Sequence, residues 1–468
     1  MKSAITFFFC LTVFTAFSQG RFPELPVPST PGEMVQAMEK LNTVGSVLYL
    51  AAHPDDENTR MISWLASERK VRTAYLSLTR GDGGQNLIGT EKGEELGLLR
   101  TQELLEARRV DGGEQFFTRA KDFGYSKNPE ESFEIWGRQQ ILADVVWVIR
   151  KFRPDVIICR FPTTGEGGHG HHTASAILAG EAFKLAADPK AFPEQLAYVK
   201  TWQAKRVLWN SFSWTRKPNE IFAGEIKVET GNYNPLLGRN YGEIAAMARS
   251  KHRCQGFGSK LSRGEVQEYV KNIAGDSITT DILERVDLSW NRVEGGAAIG
   301  TLIQQAVLGF DLHKPAASVP QLLRIRSAIE ALKDEHWKRV KLEEVDQLIL
   351  ACSGIYFEAT SAATELTPGS KFEINIEGIN RSAVPVVLKE ILVNDNRDSV
   401  WNKSLDNNQL FTAKRTVTLP SSFPVSQPNW LAMKEEKGIY APKDTLKVDA
   451  PEIAPDLTIT FVFDVSGV

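Results

Sequence analysis

The feature that most constrains the fold is a run of apolar residues, VLYLAA from Val47 to Ala52, that stops abruptly at the charged sequence HPDDE. A continuous apolar run of this length is typical of a strand that is buried on both faces, as in a parallel sheet. Three consecutive carboxylates repel one another, so they need a metal ion, a helix N-terminus or exposure to water. The functional question is which of these holds Asp55, Asp56 and Glu57.

The same alternation of strand and helix patterns continues along the chain. The apolar spacing predicts helices over 58–69 and 94–109, and within RQQILADVVWVIRKF and HTASAILAGEAFKLAA. Further buried strands are predicted in VRTAYLSLT, which ends at the glycine-rich RGDGGQN, and in DVIICRF and KRVLWNSF. Strands that alternate with helices form a parallel sheet with helices on both faces. We therefore predict an α/β fold with a Rossmann-like, mostly parallel sheet.

At 468 residues the chain is too long for one ordinary domain. Near the C-terminus, KFEINIEG and LTITFVFDV alternate apolar and polar residues with a period of two, which indicates an antiparallel, sandwich-like β-domain. Because the last strand pattern lies against the C-terminus, the sequence leaves open whether this domain is complete or the chain is a fragment of a longer protein. The predicted order is a signal peptide over 1–18, a proline-rich connector with a short helix over 19–44, an α/β domain over 45–310, a helical segment over 311–362 and an autonomous β-domain over 363–468.

The first residues, MKSAITFFFCLTVFTAFSQG, carry one early positive charge at Lys2 and then an apolar stretch over 4–17. The stretch is too short to span a bilayer, and Ala16 and Ser18 supply the small residues of a cleavage site. We interpret it as a secretory signal peptide, with a buried N-terminal helix as the alternative. This interpretation predicts an exported, periplasmic or secreted protein without a transmembrane segment after cleavage.

Charge and cysteine content argue against several classes of protein. A net charge of −3 without a long run of one sign gives no reason to expect a nucleic-acid partner or an anionic membrane surface. The glycines of GDGGQN lack the lysine of a phosphate-binding loop. Cys159, Cys254 and Cys352 are too few and too widely spaced for a disulfide framework, although they allow one bridge. The expected partner is a small-molecule or glycan substrate.

A second stretch with chemically active side chains, TTGEGGHGHHTAS, follows the predicted strand DVIICRF and contains His169, His171 and His172. The carboxyl ends of parallel strands meet at one edge of a sheet, so these histidines are expected to approach His53 and Asp56. Imidazole nitrogen and carboxylate oxygen are the donors that bind zinc in proteins. One histidine, one aspartate and one further histidine leave a position open for water, which is the catalytic rather than the structural pattern.

Each stretch also has a simpler interpretation. Taken alone, HPDD is equally typical of an exposed turn with an N-capping aspartate, and HGHH is typical of a surface loop. Their joint occurrence, each after a buried strand, favours the metal site. His53 and Asp56 then face one cation from a turn that enters a helix, while Asp55 points elsewhere and is free to transfer protons. Glu57 is expected to support the loop or cap the helix.

AAHPDDE and GHGHH resemble the LmbE-like, or PIG-L, family of zinc-dependent de-N-acetylases, and the likeness covers about residues 45–260. LSLTRGDGG and LGLLRTQELLEA resemble the family's second strand loop and its arginine-bearing helix. The resemblance implies a zinc-dependent deacetylase that removes an N-acetyl group from an N-acetylglucosamine-type sugar and releases acetate and a free amine.

The resemblance also implies roles for individual residues. His53, Asp56 and His172 would bind zinc, Asp55 would be the general base and His169 would polarise the carbonyl. The chain departs from the family at position 171, where the family commonly has aspartate, which leaves His171 as a lesser candidate ligand.

Three further residues are candidates for substrate contacts, namely Arg80, Arg100 and His252, the last in the lid-like sequence ARSKHRCQGFG together with Arg249. Structural salt bridges are an equal alternative for Arg80 and Arg100. Two other functions compete with deacetylation: hydrolysis of another amide or ester at the same metal site, and glycan binding at a cell surface without catalysis. The intact Asp55 argues against the second of these, because a binding protein has no need of a base beside the metal ligands.

Overall fold

The structure, a computed structural model, describes residues 27–213, 215–217, 220–394, 396–434, 436–453 and 455–468. The signal peptide predicted over 1–18 lies outside these described residues. Within the described ranges, no helix is both long enough and apolar enough to cross a membrane. Cys159, Cys254 and Cys352 are buried free thiols, so the bridge that their number allowed is not formed.

A mixed sheet forms the centre of the N-terminal part of the chain. Its strands lie side by side in the order β3–β2–β1–β4–β5–β9–β6. The first five strands in this order are parallel to one another, whereas β9 is antiparallel to its neighbours β5 and β6. The strands are β1 (Ser46–Ala51), β2 (Arg72–Thr79), β3 (Glu114–Ala120), β4 (Val156–Cys159), β5 (Arg206–Ser211), β6 (Glu225–Glu229), the short pair β7 (Tyr233–Asn234) and β8 (Arg239–Asn240), and β9 (Gln267–Gly275). The predicted mostly parallel α/β sheet is confirmed.

Helices cover both faces of this sheet. They are α2 (Thr59–Ser67), α3 (Glu94–Asp111), α4 (Pro129–Trp136), α5 (Arg138–Phe152), α6 (Gly170–Leu185) and α7 (Tyr241–Arg249). The first helix, α1 (Pro31–Leu41), belongs to a different core. Side chains alternate between the faces along β1, as the pleat of a strand requires. Leu48 and Leu50 pack into the core formed with α5 and α6, whereas Val47 and Tyr49 pack into the core formed with α2 and α7.

The position of β1 and β4 explains where a ligand can bind. The two strands are neighbours, yet the chain leaves β1 toward β2 and reaches β4 only after crossing the sheet. In open α/β sheets, such a switch in strand order opens a crevice outside the carboxyl ends of the two strands. The sequences HPDDE and GHGHH both follow these two ends.

Three helices follow the sheet and form a separate core with α1. They are α8 (Ala297–Leu308), α9 (Val319–Glu330) and α10 (Glu335–Ser353), and their buried side chains include Ile303, Leu322 and Val340. The helical segment predicted over 311–362 therefore contains α9 and α10, but α8 precedes it and the last helix ends earlier.

The C-terminal part is antiparallel, as predicted. Two sheets, in the orders β10–β11–β14 and β13–β12–β15, share a core that includes Phe372, Ile374 and Leu388. Their strands are β10 (Ile355–Thr360), β11 (Lys371–Asn380), β12 (Val386–Val393), β13 (Asn396–Ser404), β14 (Leu410–Thr418) and β15 (Ile459–Val465). The first of these strands begins before the predicted boundary at 363.

One part of this C-terminal region was not expected from the sequence. Residues 436–453, here named the return segment, leave the β-domain between β14 and β15 and pack against the central sheet. The backbone N–H of Tyr440 donates to the Arg119 carbonyl at 2.8 Å, and that of Phe117 donates to the Asp449 carbonyl at 3.0 Å. Ile439 belongs to the same apolar core as α5 and α6. The return segment therefore completes the edge of the sheet beside β3.

Candidate metal centre and active site

The turn after β1 is held by the start of α2. Asn58 is the N-cap of α2, and its side-chain oxygen accepts the N–H groups of Arg60 and Met61, both at 3.2 Å. The cap is therefore an amide and not one of the preceding carboxylates, so the alternative of an exposed turn with a capping aspartate does not describe this site. His53 is buried, and Asp56 is only partly exposed.

The second histidine stretch forms the start of α6. His169 is the N-cap, and its Nδ1 accepts the backbone N–H of His171 at 3.1 Å. His172 lies in the first turn with its ring stacked on Phe161, at a centroid distance of 3.8 Å. His172 Nδ1 is 2.9 Å from the Gly167 carbonyl. A ring that donates through Nδ1 directs its other nitrogen, Nε2, toward Asp56.

His53, Asp56 and His172 come together as a group whose ligand atoms all lie within 4.8 Å of one another. Asp56 Oδ2 is 3.0 Å from His53 Nδ1, and Asp56 Oδ1 is 3.4 Å from His172 Nε2. Two imidazoles and one carboxylate are a donor set that suits a transition-metal ion such as zinc. The residues present therefore fit a bound metal.

A second group of three imidazoles shares His53 and includes His169 and His171. His171 is fully buried, and its Nδ1 lies 3.1 Å from His53 Nε2. This contact occupies the nitrogen of His53 that faces away from Asp56. Hydrogen-bond partners of this kind orient a ligating imidazole in metal sites, so the geometry favours His171 as the partner of a ligand rather than as a ligand.

The charges around Asp56 suit a cation. Burial raises the pKa of the Asp56 carboxyl, but the neighbouring His172 and His53 lower it more, so that the net pKa is well below its usual range. For His53, burial lowers the pKa, whereas the Asp56 carboxylate raises it to about 9. The carboxylate thus stays negative between two imidazole rings.

Asp55 is set apart from this group. Its Oδ1 lies 3.4 Å from Arg100 Nη2, and its side chain is 21% exposed. Burial raises the pKa of the Asp55 carboxyl to about 6, although the charge of Arg100 acts in the opposite direction. Asp55 and Asp56 line a cavity of about 570 Å³ together with His172 and Arg249. A carboxylate with a pKa near neutrality beside a metal group can accept a proton from water.

His169 stands at the other side of His53, with 5.2 Å between their ring centroids. Burial lowers the pKa of His169 to about 4, and the nearby His53 and His172 act in the same direction. Because Nδ1 accepts the His171 N–H, the hydrogen of the neutral ring is on Nε2. His169 can therefore donate a hydrogen bond without a positive charge.

The three residues predicted to contact substrate, Arg80, Arg100 and His252, do not line the cavity. Arg80 does not line the cavity, because its buried guanidinium donates to the Ala450 and Pro451 carbonyls at 3.0 and 3.2 Å. Arg100 is buried behind Asp55, where it donates to the Gly81 carbonyl at 2.9 Å.

His252 is fully buried, with its Nε2 2.8 Å from Glu57 Oε1. Glu57, which was expected to support the loop or cap the helix, is in contact with His252 and with Arg108, the latter at 3.2 Å. These opposite charges lower the pKa of Glu57 to about 2 against the effect of burial, with His252 the larger influence.

Sequence reasoning missed two residues near the centre. Arg108 gives no sequence signal, because it is one of several charged residues along α3. Asp122 follows the end of β3 and lies 4.0 Å from His53 Nε2 and 3.9 Å from His171 Nδ1. Asp122, like His53, follows the carboxyl end of a parallel strand, so the same reasoning would have identified it. It was missed because β3 itself was not predicted.

Comparison with known proteins shows which family this part of the chain resembles. Residues 48–183 match the family described as PIG-L: GlcNAc-PI de-N-acetylase. Over 193 residues the chain is 30% identical to a 1D-myo-inositol 2-acetamido-2-deoxy-alpha-D-glucopyranoside deacetylase of Streptomyces scabiei, covering 37% of this chain and 58% of the relative. Over 183 residues it is 27% identical to a diacetylchitobiose deacetylase of Thermococcus kodakarensis, covering 39% of this chain and 64% of the relative.

The chain thus spans about three fifths of the length of these two relatives. Among solved structures, an N,N'-diacetylchitobiose deacetylase from Pyrococcus horikoshii in complex with its inhibitor MPG is 21% identical, with a TM-score of 0.33 over 45% of this chain and 70% of that one. The family match contains all of the metal-group residues, from His53 to His172. The part of this chain that carries the candidate metal centre, residues 48–183, is therefore similar to the PIG-L, or LmbE-like, family.

Proposed function

We propose that this protein is a zinc-dependent hydrolase that removes the acetyl group from an N-acetylglucosamine-type sugar derivative. The observation that carries the proposal is the position of Asp55 beside the group of His53, Asp56 and His172. Asp55, Asp56 and His172 line one cavity, and the buried His53 lies next to Asp56. The relatives named as deacetylases of N-acetylglucosamine derivatives support the same reaction. His53, Asp56 and His172 would hold the metal.

The reaction needs a base, an oxyanion donor and a Lewis acid. Zinc at the His53, Asp56 and His172 group would polarise the acetamide carbonyl and acidify the attacking water. Asp55 accepts a proton from that water as the water attacks the carbonyl carbon. His169 donates through Nε2 to the oxygen that becomes negative, a contribution of about 2.7–4 kcal/mol for one such donor.

The second half of the reaction breaks the C–N bond. Asp55 returns the proton to the leaving nitrogen, which departs as a free amine while the acyl group leaves as acetate. A neutral His169 suits this sequence, because a donor without a charge stabilises the oxyanion and does not repel the metal. The contact between His169 Nδ1 and the His171 N–H keeps the donor nitrogen free for substrate.

The cavity suits a polar ligand that is rich in hydroxyl groups. Its volume of about 570 Å³ is within the range of about 300–1,000 Å³ that small-molecule sites occupy. The cavity is also lined by charged side chains, which include Arg60, Arg160, Lys260 and Glu268. These groups can donate to and accept from sugar hydroxyls.

We also propose that the protein is exported to the periplasm or secreted. This proposal depends on the apolar stretch over 4–17 and the small residues before position 19. N-terminal sequencing of the protein recovered from its native host tests it. A mature chain that begins near Gln19 supports export, and a chain that keeps Met1 contradicts it.

Acetate release tests the proposed reaction. Purified protein is assayed with N-acetylglucosamine, diacetylchitobiose and N-acetylglucosaminyl inositol, before and after chelation and with zinc restored. We expect stoichiometric acetate and free amine from at least one sugar, lost on chelation and regained with zinc. Cleavage of other amides or esters alone would favour the alternative hydrolase, and binding of the sugars without acetate release would favour the glycan-binding protein.

A further inference from the structure

The backbone of Asp55 is in an unusual conformation. Its φ angle is 101°, on the left-handed side that residues with a Cβ atom rarely adopt. A strained backbone of this kind persists only when surrounding contacts hold it, and such residues cluster at functional sites. The contacts that hold Asp55 therefore show how the proposed base is oriented.

Hydrogen bonds fix the peptide groups on both sides of Asp55. Its N–H donates to Glu57 Oε2 at 2.8 Å, and its carbonyl accepts from Arg249 Nη1 at 3.0 Å. The preceding carbonyl, that of Pro54, accepts from Arg100, whose guanidinium also lies beside the Asp55 carboxylate. The base is thus held from three directions.

Two of these contacts depend on one short stretch at the end of α7. Arg249 is the last residue of α7, and its guanidinium also packs over the Phe257 ring at 4.1 Å. His252, three residues later, is fully buried and binds Glu57, the residue that accepts the Asp55 N–H. Residues 249–252, here named the clamp turn, therefore act on both the carbonyl and the amide of Asp55.

We propose that the clamp turn holds the base in its strained conformation, with Arg249 as a positioning residue rather than a substrate ligand. The inference rests on the proposed deacetylation for the role of Asp55, whereas the strain itself is independent of the reaction. Displacement of the base by a fraction of an ångström leaves the affinities for metal and substrate unchanged, but it makes proton transfer from the attacking water slower.

Kinetics of Arg249 variants test the role of this residue. Arg249→Gln should lower kcat by about ten- to a hundredfold, because the hydrogen bond from the Arg249 guanidinium to the Asp55 carbonyl is lost. KM and zinc affinity should stay within about twofold of the wild-type values. Arg249→Lys keeps the charge and one donor and should recover part of the lost kcat. Arg253→Gln is the matched control, since Arg253 is exposed in the neighbouring turn. A higher KM with unchanged kcat for Arg249→Gln would make Arg249 a substrate ligand and overturn the proposal.

Thermal unfolding tests the strain without any assay of activity. Glycine tolerates a positive φ and alanine does not, so Asp55→Gly should unfold at a higher temperature than Asp55→Ala, by a few degrees. In the Arg249→Gln background this difference should shrink, because the turn can relax. A difference of the same size in both backgrounds would overturn the role of Arg249, and equal unfolding temperatures of the glycine and alanine variants would overturn the strain on which the proposal depends. If the wild-type protein releases no acetate but the difference between the variants persists, the proposed function fails and the strained turn remains.

Discussion

The three consecutive carboxylates after β1 have three different sets of partners. Asp55 lies beside Arg100, Asp56 lies between two imidazoles, and Glu57 is buried against Arg108 and a further imidazole. Each negative charge therefore meets its own positive or metal-binding group, which explains how like charges tolerate adjacent positions. These contacts are the basis for the three proposed roles: Asp55 as the base, Asp56 as a metal ligand and Glu57 as a buried support.

Loss of His172 should remove the metal, because its Nε2 completes the group with His53 and Asp56. We expect His172→Ala to lose most of its bound zinc in elemental analysis. His169→Ala should keep the zinc and lose activity, since His169 belongs only to the group of three imidazoles. Unchanged zinc in His172→Ala together with loss in His169→Ala would move the site to that second group and make His171 a ligand.

Part of this residue-level arrangement follows from the sequence. The approach of His53 and Asp56 to the second histidine stretch was predicted correctly, because both stretches follow buried strands that the apolar runs mark. The places of Arg80 and His252 were not predictable, since both side chains are buried by segments distant in sequence. A charged residue near a motif does not indicate whether its partner is substrate or protein.

At the scale of elements, the start of α6 brings the histidines to the metal group. Gly170 lies between the N-cap His169 and the buried His171, where the backbone passes close to another loop. A Cβ atom at Gly170 would lie 2.3 Å from the Asn128 carbonyl oxygen and 2.2 Å from Ser126 Oγ. Glycine is therefore required here by the close approach of backbone, and not by a positive φ.

Gly170→Ala should displace the start of α6 and weaken metal binding. We expect the free energy of unfolding to fall by about 1–3 kcal/mol, as overpacking of a tight site typically costs. Gly180→Ala is the control in the same helix: a Cβ atom there would meet none of the described residues within 4 Å, and alanine should stabilise the helix by about 0.5–1 kcal/mol. Chemical denaturation and zinc titration measure both effects, and equal stability of the two variants would contradict this account of α6.

In the central sheet, strands with continuous apolar runs were predictable, and strands without them were not. β1, β2, β4 and β5 correspond to the predicted buried strands, because most of their residues are apolar or small. β3 was missed, since EQFFTRA mixes apolar and charged residues and is an edge strand of the sheet. β9 was missed as well, because its exposed and buried residues give no continuous run.

At the scale of the whole molecule, the C-terminal part is joined to the catalytic sheet by the return segment. Asp449 is fully buried there, and its carboxylate accepts from Trp147 Nε1 at 2.9 Å and Lys151 Nζ at 2.8 Å, both on α5. No local sequence signal distinguishes this segment from an ordinary loop of a β-domain. The expectation of an autonomous module was made without these contacts, and truncation of the chain tests it.

Asp449→Ala should destabilise the catalytic sheet and not the β-domain alone. The substitution leaves the buried Trp147 N–H without its acceptor, which costs about 1–3 kcal/mol. Asp406→Ala, at an exposed position of the β-domain, is the control. Denaturation followed by tryptophan fluorescence measures the difference, and a chain that ends at Thr360 should for the same reason fail to fold stably. A stable, zinc-binding truncated chain would show that the return segment is dispensable.

The central claim, that Asp55 is the base beside a metal held by its neighbours, is tested most directly by Asp55→Asn. The change keeps the size of the side chain but removes its ability to accept a proton, so acetate release from an N-acetyl sugar should fall by about a hundred- to ten-thousandfold. Zinc content should stay that of the wild type, whereas Asp56→Ala should lose zinc. Full activity of Asp55→Asn, or loss of its zinc while Asp56→Ala keeps zinc, would contradict the assignment.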